Sequence, residues 1–425
     1  MSRIRSSYTD SINFYEGHSP LDLAQQFGTP LYVYNEAVLR QRCRELKALS
    51  SLPGFGVNYS VKANTNPVLL RIIREEGLVV DAMSPGELYM DRLAGFTADE
   101  ILYISNNISE AELRNAVEHG VLVSVDSLSQ VETLGRVNPG GKVMVRFNPG
   151  IGAGHHAKVV TAGKETKFGV SPELLDDLFA ILKKHDLHLA GINQHIGSLF
   201  MEADGLSPPP TSCCTWPNAC PPMLQKLEVI DFGGGFGIPY HKYENQPCLD
   251  MDDLGRRLHG LISGWAEKDR LHRPLPGGAR PLCGGRMRHP AGERQCHQDQ
   301  RRQALCRDRP GFQRAGAPGQ YDSFHDVEVY RQGAQGPDTG TVEQSVVGNI
   351  RESGDILAKN RQLPLLHEGD VLGVLDAGAY GFVMSSSYNQ RCRAAEIPIQ
   401  TDGSVRLIRR RETLEDLAAC YEGLL

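Results

Sequence analysis

With 425 residues and a net charge of −6 from 45 basic and 51 acidic side chains, the chain is too long for one small domain and lacks the positive excess that recruits nucleic acid. No run of about eighteen apolar residues occurs, so no membrane-spanning helix is expected. The length suggests two domains, or one large barrel with an appendage, and Met1–Asp10 has no apolar core of the secretory-signal kind, which points to a cytoplasmic protein. Of the ten cysteines, Cys213, Cys214, Cys220, Cys283, Cys296 and Cys306 fall in two compositionally odd stretches. No Cys-x-x-Cys pair occurs, and His289 and His297 give no zinc spacing, so no metal site is expected.

Residues 1–34 read as a strand-rich lead-in that ends on the alternating Leu31-Tyr-Val-Tyr34. Asn35 caps a helical pattern to Leu49. Phe55–Val61 is an apolar strand closed by Lys62, a polar turn and a helix begun by Pro67 and ended at Gly77. Taken alone, this segment favours a lysine that snorkels to water. The other use of a desolvated strand-end amine is a Schiff base with an aldehyde cofactor. Strand Leu78–Met83 precedes a helix at Ser84-Pro-Gly-Glu87, where Ser84 caps, Pro85 takes the first turn and Glu87 completes a capping box.

The same strand–helix unit recurs at 101–104, with its helix entered at Ser109, and at 121–125 and 143–147, then after helix 172–185 at 189–195 and 227–231. Near-continuous apolar strands mean burial on both faces, hence a parallel sheet. Lys62, Asp81, Ser105, Asp126, Arg146, His195 and Asp231 all stand at or near C-terminal strand ends. In a (β/α)8 barrel those ends converge on one mouth. The glycines of Asp231–Ile238 can bring backbone N–H groups to a phosphate. Ile238 stands where a dinucleotide fingerprint needs glycine, which leaves a monophosphate cofactor or a plain tight turn. Strand-like segments follow from about residue 322, at 327–330, 344–347, 370–375 and 396–399, before a closing helix at 410–425. The expected architecture is a (β/α)8 barrel over 35–275 and a mainly-β domain from 1–34 and 276–425.

Five motifs then carry a family likeness. Val61-Lys-Ala-Asn64, Asn193-Gln-His-Ile-Gly-Ser198, Asp231–Gly237, Glu352-Ser-Gly-Asp355 and Asp376-Ala-Gly-Ala-Tyr-Gly381 resemble, in order, the diaminopimelate decarboxylase family of fold-type III pyridoxal-phosphate-dependent decarboxylases. The resemblance implies removal of CO2 from meso-2,6-diaminopimelate to give L-lysine. The implied assembly is a homodimer with shared sites and a small amino-acid substrate, without nucleic acid or membrane. It also implies that Lys62 holds pyridoxal 5'-phosphate covalently and His195 stacks on its ring. Ser198, Gly235 and Gly237 would meet the cofactor, Tyr380 both cofactor and substrate, and Tyr321 and Glu352 the substrate. Other fold-type III decarboxylases of basic amino acids, and a non-catalytic relative, are the alternatives.

Three departures stand against the pattern. Arg351 occupies the position of the family's proton-donating cysteine, and a guanidinium stays protonated. Prolines forbid the barrel helix required at 207–222. Residues 272–320 contain neither Val nor Ile where the eighth strand and a Glu-Pro-Gly-Arg-Tyr motif belong, so that strand is expected to be disrupted. The basic stretch 273–314 lacks the interleaved aromatics of a nucleic-acid arm. Codons permitted for Gly278–Cys283, read one base later, give Glu-Pro-Gly-Arg-Tyr, and 207–222 read two bases later can give an amphipathic helix. Both tracts therefore read as out-of-frame translation, with weak or absent decarboxylation expected of the chain as written.

Overall fold

The computed structural model describes residues 8–148, 169–194, 227–244, 246–268, 280–285, 292–297, 324–332, 340–350 and 352–424. The chain divides into two compact units. One comprises Cys43–Ile238 and Cys248–Met287, the other Met1–Arg42, Pro239–Pro247 and Arg288–Leu425. Relative to the expected boundaries, 35–42 and 239–247 fall in the second unit and 276–287 in the first.

Strand β1 (Leu31–Asn35) belongs to the second unit. The first unit is a closed parallel barrel of β2 (Gly56–Ser60), β3 (Val79–Ala82), β4 (Ile101–Ile104), β5 (Leu122–Val125), β6 (Lys142–Arg146), β7 (His188–Asn193), β8 (Val229–Asp231) and β9 (Arg280–Gly285). The first seven are the strands read from the sequence. The eighth corrects the expected disruption: β9 pairs with β8 through Val229↔Arg280 and with β2 through Val57↔Cys283. Backbone pairing is nearly indifferent to side chains, so a stretch without Val or Ile can close the ring between two strands whose edges would otherwise be open. The tract 207–222 lies outside the described residues.

Local signals set the helices between strands. Asn35 accepts from Val38 N, Asn66 from Val68 N ahead of Pro67–Glu75, and Ser127 from Gln130 N. Ser109 and Glu112 form a reciprocal capping box. At Ser84 the box is displaced by one residue: Ser84 accepts from Glu87 N, but Glu87 Oε2 takes Met83 N at 2.8 Å. Helix Pro67–Glu75 buries Leu69, Leu70, Ile72 and Ile73, each worth about 1.5–3 kcal/mol when removed from water.

Besides β1, the second unit holds β10 (Gly292–His297), β11 (Val327–Tyr330), β12 (Thr341–Val347), β13 (Ile356–Pro364), β14 (Val371–Val374) and β15 (Ala395–Ile399). They form a five-stranded sheet in the order β11-β14-β10-β1-β15 and a two-stranded β12-β13 ribbon. Strand β10, drawn from the odd tract, runs antiparallel to both β1 and β14 in mid-sheet. The free side of edge strand β15 is covered by bridges Glu396↔Arg409 and Ile399↔Val405. Two sequence expectations need correction here. The lead-in is helical at Tyr8–Ser11 and Pro20–Phe27, because Ser19 followed by proline is a strong helix start. The closing helix shrinks to Leu414–Ala418 and one further turn, since Thr413 and Asp416 cap it late.

Inside the barrel, Leu102 and Met144 pack with Val79, Ile104, Leu122 and Val229. Gly191 lies against this layer, where an added Cβ would meet Met144 Cγ at 3.0 Å and Val229 O at 3.1 Å. Gly191→Ala is therefore expected to cost about 1–3 kcal/mol and lower Tm by roughly 3–8 °C in thermal melts. Gly260→Ala, with open space around it, is expected to leave Tm unchanged or raised.

Candidate active site

Strand periodicity builds the site. Two positions beyond the apolar layer residues Val79, Leu122, Met144 and Val229 stand Asp81, Ser124, Arg146 and Asp231. Residues two apart share a strand face, so a polar layer caps the apolar one at the C-terminal ends. Ser124 Oγ donates to Asn193 Oδ1 at 2.8 Å, and Asp231 Oδ1 accepts Gly233 N at 2.8 Å.

Lys62 follows Ser60 on a single 3-10 turn, Val61–Ala63, whose flanking side chains are fully buried while the lysine is half-buried. Asp81, itself buried, holds this turn: its Oδ1 accepts Val61 N at 3.0 Å and its Oδ2 accepts Ser60 Oγ at 2.9 Å. Helix Pro85–Ala94 brings two more acids from one face, Glu87 and Asp91. Burial raises the Glu87 pKa, while the Met83 amide and then the Lys62 ammonium pull it back; Asp81 pushes it up. Asp91 is 0% exposed, and neither carboxyl oxygen has a hydrogen-bond partner among the described residues. Burial, reinforced by the Asp81 and Glu87 charges, pushes its pKa up to about 9. Lys62 thus sits in an acidic setting of graded burial.

After β8, Gly233 (φ 74°) and Gly235 (φ 113°) take conformations that favour glycine, and residues 233–237 are buried. A half-buried amine and a buried glycine turn at strand ends of one barrel fit an aldehyde cofactor bearing a phosphate. The structure places Lys62, Gly235 and Gly237 in the barrel unit, and Glu352 and Tyr380 in the sheet unit. Glu352 is exposed, and its Oε2 accepts Gly354 N at 2.8 Å. Tyr380 adopts φ 61°, a left-handed conformation that costs a bulky residue about 1–3 kcal/mol. His195, Ser198, Tyr321 and Arg351 lie outside the described residues. Sequence reasoning read Glu87 only as a cap and missed Asp91; their four-residue spacing on one helix was the available signal.

Fold and site together fit an enzyme of the class that binds an aldehyde cofactor at the strand ends of a barrel. Residues 37–267 match the family model "Pyridoxal-dependent decarboxylase, pyridoxal binding domain", and 298–378 match "Pyridoxal-dependent decarboxylase, C-terminal sheet domain". Diaminopimelate decarboxylase of Methanothermobacter thermautotrophicus is 37% identical over 94% of this chain and 93% of its own length. That of Aquifex aeolicus is 32% identical over 96% and 95%. A crystal structure of diaminopimelate decarboxylase superposes with TM-score 0.81 at 30% identity, covering 94% of this chain and 95% of that one. The Helicobacter pylori enzyme complexed with L-lysine gives 0.79 at 25%, covering 95% and 99%. The chain belongs to the diaminopimelate decarboxylase family.

The Asp91 carboxyl sets a pH signature. Folded, it keeps its proton up to about pH 9; unfolded, it loses it above about pH 4. Its ionisation therefore costs nothing below the unfolded value and increasingly favours unfolding as pH rises toward the folded one, by up to ~1.4 kcal/mol per pH unit. Asp91→Asn is expected to flatten the fall of Tm between pH 5 and pH 8, and parallel wild-type and variant curves would contradict this.

Proposed function

We propose that the chain releases CO2 from meso-2,6-diaminopimelate and yields L-lysine, with pyridoxal 5'-phosphate held by Lys62. The supporting observation is the placement of Lys62 at the C-terminal end of β2, on a turn held by Asp81 and beside Glu87. An amine attacks an aldehyde only when neutral. Glu87, whose pKa burial raises, is suited to exchange a proton with Lys62 Nζ, while Asp81 keeps the turn in place. Gly235 and Gly237 offer backbone N–H groups to a phosphate. In this reading His195 would stack on the ring and Ser198 would meet the cofactor. Bound there, the cofactor supplies an electron sink for the pair left on the α-carbon when CO2 departs. Tyr380 contacts cofactor and substrate, while Tyr321 and Glu352 contact the substrate, in sites shared across a cytoplasmic homodimer.

Two features favour a slow enzyme as the second reading. Strand β9 has no carboxylate among Arg280–Gly285 to pair with a pyridine nitrogen, and Arg351 cannot act as an ordinary acid. We further infer that 207–222 and 272–320 are out-of-frame; an intact reading frame across both in the DNA would reject this.

The Lys62→Ala variant is expected to lose CO2 release by at least ~10³-fold and to lose borohydride-fixed cofactor in mass spectra. Arg351→Cys, by restoring an acid, is expected to raise kcat by about 10- to 100-fold. An unaltered rate in Arg351→Cys would remove the missing acid as the cause of slow turnover.

A further inference from the structure

We propose that Lys242 is a positioning residue for Tyr380: its buried ion pair with Asp376 fixes the left-handed turn that presents the Tyr380 side chain to cofactor and substrate. The inference rests on the functional reading above, in which Tyr380 belongs to the site.

The geometry is that of a clamp on one end of the Asp376–Gly381 turn. Lys242 Nζ lies 3.2 Å from Asp376 Oδ2, with the two side chains 3% and 0% exposed. The same ammonium donates to Pro239 O at 2.5 Å and sits 5.1 Å from the Tyr8 ring centroid. Lys242 N donates to Asp326 Oδ2 at 2.6 Å, Leu375 N donates to Asp326 O at 2.9 Å, and His325 Nδ1 meets Leu375 O at 2.6 Å. Two chain segments, around Lys242 and around His325-Asp326, therefore converge on residues 375–376. Asp376 itself has φ 56°, so the turn begins and nearly ends on left-handed non-glycine residues.

The other end is held by packing. A Cβ on Gly381 would stand 2.1 Å from Ala377 O and 2.9 Å from Tyr32 Cε1, so only glycine closes the turn. Phe382 is buried edge-on against Tyr32 at 5.9 Å, with the Arg409 and Arg393 guanidinium groups over its ring. Tyr380 stands between two anchors and inherits its direction from them. A buried ion pair is a poor device for stability alone, because apolar side chains of similar size do as well. It is a good device for direction, since the charges must meet at one place.

The test is a cycle in the full-length chain. Lys242→Met with Asp376→Asn removes both charges and leaves no unpaired ion, and asparagine tolerates the left-handed turn. Cofactor affinity by absorbance titration and thermal melting are read together, in the wild-type and Tyr380→Phe backgrounds. The expected result is an intact melt, about 10-fold weaker cofactor binding, and no further loss when Tyr380→Phe is already present. Lys242→Arg, which keeps the charge, is expected to bind within about twofold of wild type. Wild-type affinity in the double variant, or a loss of equal size in the Tyr380→Phe background, would overturn the role of Lys242 and leave the functional reading standing. A wild-type chain that borohydride fails to label at Lys62 would sink both.

Discussion

Asp81 accepts two hydrogen bonds from the end of β2, and the position of Lys62 follows from them. The carboxylate is buried, so its oxygens must be satisfied within the protein. It satisfies them on Val61 N and Ser60 Oγ, the two groups that define where the strand stops and the 3-10 turn begins. The lysine one residue later is left half-buried between two fully buried neighbours. That arrangement depends on β3 lying beside β2 in register, with Ser60 opposite Asp81. Closure of the barrel fixes that register, and the site inherits its precision from backbone pairing.

Electrostatics around the lysine come from one strand and one helix: Asp81 on β3, then Glu87 and Asp91 on the helix that follows it. Helix Pro85–Ala94 starts where its capping signals place it, and the start sets the phase that turns Glu87 and Asp91 to its packed side. The displaced capping contact ties the Glu87 carboxylate to Met83 N. The same side chain thus closes the start of a helix and feels the Lys62 charge. Asp91, deeper and without a partner among the described residues, stays neutral over most of the accessible pH range, at a cost in stability that grows as pH rises.

In the second unit, side-chain charge does what backbone pairing does in the first. Glu328 is buried and accepts from Thr9, Tyr243 and Tyr330. Glu396 accepts from Tyr34 and pairs with Arg409. Such networks tie residues hundreds of positions apart, and in low dielectric each needs all its members. Strand β10 shows the complementary rule: its six residues are polar or small, yet they lie between two apolar neighbours because the sheet requires an extended backbone there.

The amino-acid sequence by itself determined what repeats locally. Alternation and caps marked seven barrel strands and most of the helices between them, and Lys62, Asp81, Arg146 and Asp231 were legible as strand-end residues. The motif at 376–381 was legible only through its family likeness, and nothing in its local pattern marked it as a turn. Tertiary structure alone decided what depends on distance. It closed the barrel with Arg280–Gly285, whose side chains carry no strand signal, and it made helices of the lead-in. It set Asp91 in a place without water and joined Lys242 to Asp376. Local propensity is written in neighbouring residues, whereas pairing partners, burial and the sign of a pKa shift depend on groups brought together only when the chain has folded.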